Sequence, residues 1–176
     1  MLITRFFYLA FYYGFAQFLP PSDMKYIGKI GKISRRYCAK KIFKYCGQNV
    51  NIEHRAFFGK GYNIEIGDNS GIGIHCHVPN DIKIGDNVMM GPHCHFMDNS
   101  IHGFERLDIP MIQQGVYRKK GRTEIGNDVW IGRQCLITPC KKIGNHTVIG
   151  GGSVVCKDVP DSVVAGGNPI KIIRYR

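Results

Sequence analysis

The residues best suited to chemistry are five histidines within a short window: His75, His77, His93, His95 and His102. A neutral imidazole titrates near working pH, so it can move a proton or bind a metal ion. His75-x-His77 returns eighteen residues later as His93-x-His95. If those pairs stack they form either a chelating set or an outward ladder on one surface. We read them as a ladder and expect no metal. The seven cysteines are an odd number with no C-x-x-C pair, which speaks for reduced thiols in a cytosolic chain and against a disulfide framework or structural zinc. A third candidate is charge. Lys25, Lys29, Lys32, Arg35, Arg36, Lys40, Lys41 and Lys44 follow one another closely, a run suited to an anionic membrane, a phosphorylated ligand or nucleic acid. No helix-turn-helix or aromatic RNA-binding strand accompanies it, so no nucleic-acid partner is expected.

The elements that must carry these residues follow from a repeat. Large apolar residues recur six apart at Ile66, Ile72, Val78, Ile84, Met90 and Phe96, and again at Ile125, Ile131, Ile137, Ile143, Ile149 and Val155. Ile52, Phe58 and Ile64 keep the spacing but are offset by two. A helix, whose faces recur at 3.6, cannot use a period of six, whereas a short strand and a turn can. Three such units close a triangular coil of eighteen residues, and coils stack at the inter-strand spacing. About five coils give a prism about 24 Å tall. Cys76, Cys94 and Cys135 then form one inward column continued by Ser153, once a 23-residue insertion at 102–124 is removed. His75 stacks on His93, and His77 on His95. Lys141 falls where a small inward residue is expected, which predicts a local bulge.

A chain of 176 residues, 44% hydrophobic and 21% charged, is neither disordered nor collagen-like, and it can bury a core. The net charge of +11 is concentrated at the amino end, where residues 1–48 hold nine Lys and Arg against one Asp. Residues 6–19 are almost wholly apolar. As a helix they reach about 21 Å, short of the roughly 30 Å needed to span a bilayer. No small-residue cleavage site follows them, so neither a transmembrane span nor a signal peptide is expected. Two readings stay open: an arm packed on its own protein or a neighbour, and an interfacial element on anionic lipid. A helix is predicted over 34–45, with Ser34 as N-cap and Gly47 as stop. The domains are therefore a helical apolar and basic arm, 1–48, and a solenoid, 49–176.

The solenoid carries Ile84-Gly-Asp-Asn-Val, Ile109-Pro-Met-Ile-Gln-Gln-Gly115, Ile125-Gly-Asn-Asp-Val-Trp-Ile-Gly132, Ile149-Gly-Gly-Gly-Ser-Val-Val-Cys-Lys-Asp-Val-Pro160 and Ala165-Gly-Gly-Asn-Pro-Ile-Lys171. From Ile52 onward the chain resembles the hexapeptide-repeat acyltransferases, within them the O-acetyltransferases of maltose, galactoside and polysaccharide type. The basic amino-terminal region favours the polysaccharide branch. The resemblance implies an all-β left-handed parallel β-helix, a hand that runs against the usual crossover rule. It also implies acetyl-coenzyme A as acyl donor, a sugar or surface-polysaccharide hydroxyl as acceptor, and a homotrimer with sites between subunits. The expected location is the cytoplasm, with peripheral contact at the inner membrane face through residues 1–44 left open.

The resemblance also assigns roles. His102, at the start of the extruded loop, is the general base, with Asp98 to orient it; His95 is the rival base. The backbone N–H of Arg133 meets the oxyanion. Trp130, Gly132, Gly150, Gly151, Lys157, Gly167, Asn168, Pro169, Lys171 and Arg174 belong to the cofactor cleft, and His75, Asn99 and Gln113 to the acceptor. Three departures stand out. Gln113 replaces a glutamate usual before Gln-Gly, His75 replaces a substrate-site asparagine, and Pro139-Cys140-Lys141 replaces Pro-Gly-Val. Other acceptors considered are a streptogramin-like antibiotic, an amino sugar and serine, though the helical front domain of serine acetyltransferases is missing. A zinc carbonic anhydrase on the same prism lacks its His-x4-His pair here, and a non-catalytic trimeric scaffold would not need His102, Trp130 and Gly150–Gly152 together.

Overall fold

In a computed structural model describing residues 2–176, the six-residue period becomes a parallel β-solenoid of about six turns. Two-residue strands stack into three walls. The first holds Tyr45–Cys46, Glu65–Ile66, Lys83–Ile84, Glu124–Ile125 and Lys142–Ile143. The second runs through Met89–Met90, Trp130–Ile131, Val148–Ile149 and Val163–Gly166, and ends on the antiparallel strand Lys171–Tyr175. The third holds His95–Phe96, Leu136–Ile137 and Val154–Val155, extended by bridges from Phe57 to His77 and from His77 to His95. In most of the two-residue strands the second residue turns inward, so Ile66, Ile84, Ile125 and Ile143 form one buried column and Ile131 and Ile149 another, which Ala165 continues. One turn more than expected arises because Tyr45–Cys46 already pairs with Glu65–Ile66.

The columns behave as the repeat demands, with a detail that the pattern hides. Cys76, Cys94 and Cys135 are buried and donate to carbonyls of the next turn: Cys76 Sγ to Gly91 at 3.1 Å, Cys94 Sγ to Gly132 at 3.1 Å, Cys135 Sγ to Gly150 at 3.2 Å. Ser70 uses the same geometry, its Oγ donating to the Gly85 carbonyl at 2.6 Å. The position wants a small donor as well as a small volume, since a buried carbonyl left unpaired is costly. At the corner between the first and second walls, Asp and Asn side chains form a second ladder. Asp86 Oδ1 accepts the Asp68 N–H at 2.7 Å, Asn127 Oδ1 that of Asp86, and Asn145 Oδ1 that of Asn127, both at 2.8 Å. The Ile-Gly-Asp/Asn motif is therefore structural.

The bulge expected at Lys141 does not occur. Glu124 pairs with Lys142 and Ile125 with Ile143 in unbroken register, because Cys140 takes the left-handed corner conformation (φ 58°) and Lys141 stays half-buried.

The amino-terminal arm forms a helical hairpin, α1 (Leu2–Gly14) and α2 (Gly28–Ile42), joined through a 3-10 turn at Ala16–Phe18. It closes the open end of the solenoid. Arg35 Nε donates to the Ile52 carbonyl at 2.6 Å, Tyr12 to Ala56 at 2.7 Å and Tyr13 to Gly59 at 2.9 Å, satisfying first-turn carbonyls that have no turn below them. Arg35 is fully buried. Its guanidinium also reaches the carbonyls of Leu19 and Pro20 and lies 3.6 Å from Glu53. The second helix begins at Gly28, six residues before the predicted Ser34 cap, and ends at Ile42. The reason is packing: a Cβ on Gly31 would come 2.3 Å from the Pro20 carbonyl oxygen, so the helix needs glycine where glycine reads as a breaker.

Candidate functional site

Every departure from the eighteen-residue coil falls on one edge, between the third wall and the first. At Gly59–Asn63 the edge carries two extra residues, which is the origin of the offset in the first repeats: Tyr45 pairs with Glu65 twenty residues on, while Glu65 pairs with Lys83 at eighteen. Two levels up, past a regular corner between His77 and Lys83, the edge extrudes an antiparallel hairpin, Ser100–His102 paired with Val116–Arg118. At the far end it is shortened, because Ile143 bridges Val159 only sixteen residues on. Core packing asks for regular turns, so an edge that repeatedly breaks them marks the side under another demand.

His102 closes the hairpin strand opposite Val116 and is exposed. No hydrogen bond joins it to Asp98 among the described residues. The Asp98 carboxylate accepts the Asn99 N–H at 2.6 Å instead, and the Asn99 amide is spent on the Gly121 carbonyl at 2.6 Å, pinning the hairpin base. Asp98 and Asn99 line a cleft of about 580 Å³ with Asp81, Arg118, His77 and Phe57. Burial pushes the Asp81 carboxyl up, and the Asp98 charge beside it adds to that. The cleft thus pairs carboxylates with an arginine around aromatic floors, a composition suited to a polyhydroxylated ligand. Gln113 sits in an exposed 3-10 turn at Met111–Gln113, outside this cleft. Its neighbour Gln114 organises the loop, donating to the carbonyls of Arg106 (2.7 Å) and Ile109 (3.1 Å) and accepting the Arg106 N–H. Two adjacent glutamines gave no signal in sequence as to which one turns inward.

The residues expected around a cofactor separate into three places. Trp130, on the outer face of the second wall, stands between Met89 and Val148 and shares a groove of about 190 Å³ with Val164, Arg174 and Arg176. Lys157 and Lys171 share a different cleft, of about 150 Å³, near the carboxyl end. Between them lies the corner of Gly132, Arg133, Gly150 and Gly151. A Cβ on Gly132 would come 2.5 Å from the Gly151 nitrogen, so these two turns touch backbone to backbone. Arg133 is exposed and its carbonyl accepts Gly152 N–H at 2.8 Å, while its own N–H makes no backbone bond among the described residues. Gly167, Asn168 and Pro169 form the turn above, where the Gly167 N–H donates to Ser153 Oγ at 3.1 Å. His102 lines neither the Trp130 groove nor the hairpin-side cleft.

The histidines stack as the period requires. His75 lies over His93 with centroids 5.0 Å apart, His77 over His95 at 4.7 Å, and His54 edges onto His75. His75 and His93 take left-handed corner conformations (φ 53° and 60°). Burial followed by the neighbouring imidazoles draws the His75 and His77 pKa values down. Among the described residues no group of three or more His, Cys, Asp or Glu is arranged to hold a metal ion. A further concavity of about 610 Å³ runs along the first wall past Lys83, Glu124, Lys142 and Asp161 and holds no residue assigned a chemical role.

Residues 122–157 match the family model described as bacterial transferase hexapeptide (six repeats). Galactoside O-acetyltransferase of Escherichia coli (strain K12) is 36% identical over 144 residues, covering 80% of this chain and 68% of that protein. Among solved structures, a maltose O-acetyltransferase from Clostridium difficile 630 superposes with a TM-score of 0.75 at 30% identity, covering 99% of this chain and 87% of that one. A galactoside acetyltransferase in complex with coenzyme A superposes with a TM-score of 0.76 at 30% identity, covering 98% and 80%.

Proposed function

The chain belongs to the hexapeptide-repeat acetyltransferases, and from that footing we propose that it transfers an acetyl group from acetyl-coenzyme A to a hydroxyl of a saccharide, in the cytoplasm, as a homotrimer. The observation that carries this reading is the superposition of nearly the whole chain on a galactoside acetyltransferase held with coenzyme A. The chain's own residues fit the donor. Met89, Trp130 and Val148 offer an apolar strip to a pantetheine arm, and Arg174, Lys157 and Lys171 offer cations to phosphates.

In this mechanism His102, as neutral imidazole, accepts the proton of the acceptor hydroxyl while that oxygen attacks the thioester carbon. The Arg133 N–H donates to the oxygen that becomes negative. Collapse breaks the carbon–sulfur bond, and the imidazolium returns its proton to the departing thiolate. Asp81, Asp98 and Arg118 hold the part of the acceptor away from the reacting hydroxyl, which extends out of their cleft to reach His102; this moves Asp98 from orienting His102 to binding sugar hydroxyls.

Within one chain His102 faces none of the donor-side residues, so a second copy completes the site. The hairpin's apolar surface supports that: Leu107 is 99% and Ile112 83% exposed, with Phe104, Met111 and Val116 exposed on the same hairpin, a grouping of the kind that a partner covers. The test is thiol release from acetyl-coenzyme A over a panel of sugars, nucleotide sugars and antibiotics. His102→Ala is expected to lower kcat by about two to four orders of magnitude while coenzyme A binding, read by calorimetry, holds. Undiminished turnover in that variant would remove His102 as the base, and release driven only by an antibiotic would replace the saccharide.

A further inference from the structure

The helical hairpin that closes the solenoid buries its inner side against the first turn and leaves most of its outer side uncovered. Tyr12 and Ala16 of the arm and Arg35, Cys38 and Ile42 of the second helix are buried against the first turn. At 100° per residue, the side of α1 opposite Tyr12 carries Ile3, Phe6, Phe7 and Phe11, all exposed, Phe7 by 66%. The side of α2 opposite Arg35 carries exposed Ile30 and Ile33, with Lys29, Lys40 and Lys41 among them, and the half-exposed Tyr37, whose ring meets Tyr8 of α1 edge-on at 5.6 Å. Lys41 Nζ lies 5.6 Å from the Tyr37 ring centroid, its stem folded along the apolar face. Because both inner sides bond to first-turn carbonyls along the solenoid axis, both outer sides face away from the end of the prism.

We infer that this outer plate is a docking surface for a membrane with anionic headgroups: the aromatic and aliphatic side chains enter the interface, and the lysines meet lipid phosphates. Charge selects that occupant. Residues 1–48 hold nine cations and a single acid, Asp23, so a second copy's identical plate would be repelled. No described helix is long and apolar enough to cross a membrane, which leaves contact at the surface. The inference stands without the acetyl-transfer reading, and only one corollary rests on it. In a trimer of side-by-side prisms the three plates face one way, and their weak contacts multiply.

The full-length protein is sedimented with vesicles of phosphatidylcholine alone or mixed with phosphatidylglycerol. Binding is expected only to the mixed vesicles, weakening as salt rises. Lys40→Glu with Lys41→Glu should lower the partition coefficient about tenfold or more, and Phe7→Ser with Phe11→Ser about tenfold. All four side chains are exposed, and unchanged melting temperatures confirm folding. Equal binding to neutral vesicles, no binding, or variants that sediment like the parent overturn the inference. So does a change in oligomer mass by light scattering in the Phe7/Phe11 variant, which would assign the plate to a protein contact. Thiol release from acetyl-coenzyme A is read on the same samples; its absence in the parent would sink the enzymatic reading and leave the sedimentation result standing.

Discussion

One chain leaves two apolar surfaces uncovered, and they differ in the charges that accompany them. The extruded hairpin shows Phe104, Leu107, Met111, Ile112 and Val116 to solvent, yet from Ser100 to Arg118 two acids, Glu105 and Asp108, balance two bases, Arg106 and Arg118, with Arg106 and Asp108 paired to each other. The end plate shows a comparable set of aromatics and aliphatics among lysines, with almost no acid. Exposed apolar area says only that something must cover a surface; the charges around it say what. A near-neutral loop can enter the low-dielectric groove of another copy at little desolvation cost. A one-signed plate cannot, and is matched by a one-signed lipid surface.

The sharpest way to break this contrast is to put charge on the hairpin. Leu107→Asp with Ile112→Asp should dissociate the proposed trimer, read by light scattering, and lower kcat/KM about a hundredfold, since His102 would lose the donor-side residues it is proposed to face. Vesicle binding per chain should survive, though weaker through lost multivalency. If this variant instead lost lipid binding and kept turnover, the two surfaces would have been assigned the wrong way round. A second break comes from cutting the plate loose and is read in stability rather than turnover. Arg35→Leu strips a buried cation from Glu53 and leaves the carbonyls of Leu19, Pro20 and Ile52 without their donor, which should cost about 3–5 kcal/mol in denaturant unfolding. Lipid binding should then fall with stability, because a frayed cap no longer presents Phe7 and Lys40 together.

The sequence made the walls legible because a period of six admits one backbone solution, and the cysteine and histidine columns follow from arithmetic on it. The irregular edge was half legible. The insertion at 102–124 and the offset of the first repeats stood out, but their lying on the same edge appears only when coils are stacked. What escaped is what depends on close approach or on another chain. That the second helix begins at Gly28, ahead of the expected Ser34 cap, was not legible, because the sequence carries no sign of the turn that packs on Gly28 and Gly31. Asp98 sits near His102 along the chain but bonds at the hairpin base. The partner that we propose for His102, supplied by a second copy, would leave no spacing in the first. Gln114 differs from Gln113 only by where a 3-10 turn points it.

Acid should separate the hairpin side from the cap, with the smallest effect of the three. The folded pKa values of His75 and His77 lie below the ordinary 6.5, lowered by burial and then by the imidazoles stacked on them. Folding therefore favours their neutral forms, and the stability they contribute is complete above 6.5 and lost as pH falls through that value toward the folded ones. Glu53 runs the same way in a lower window. Its burial opposes ionisation, but hydrogen bonds from Ser22 and Asn51 and the Arg35 charge hold it below 4.5, so the cap weakens only as pH drops beneath that. Between about pH 7 and about pH 5, amide exchange should rise first around residues 75–97, beside the cleft that His77 lines, while 35–56 stays protected. In His77→Gln the fall in melting temperature across that range should be shallower than in the parent. Loss of protection in the cap ahead of the histidine wall would mean that Arg35 and Glu53 are not what fastens the plate to the solenoid.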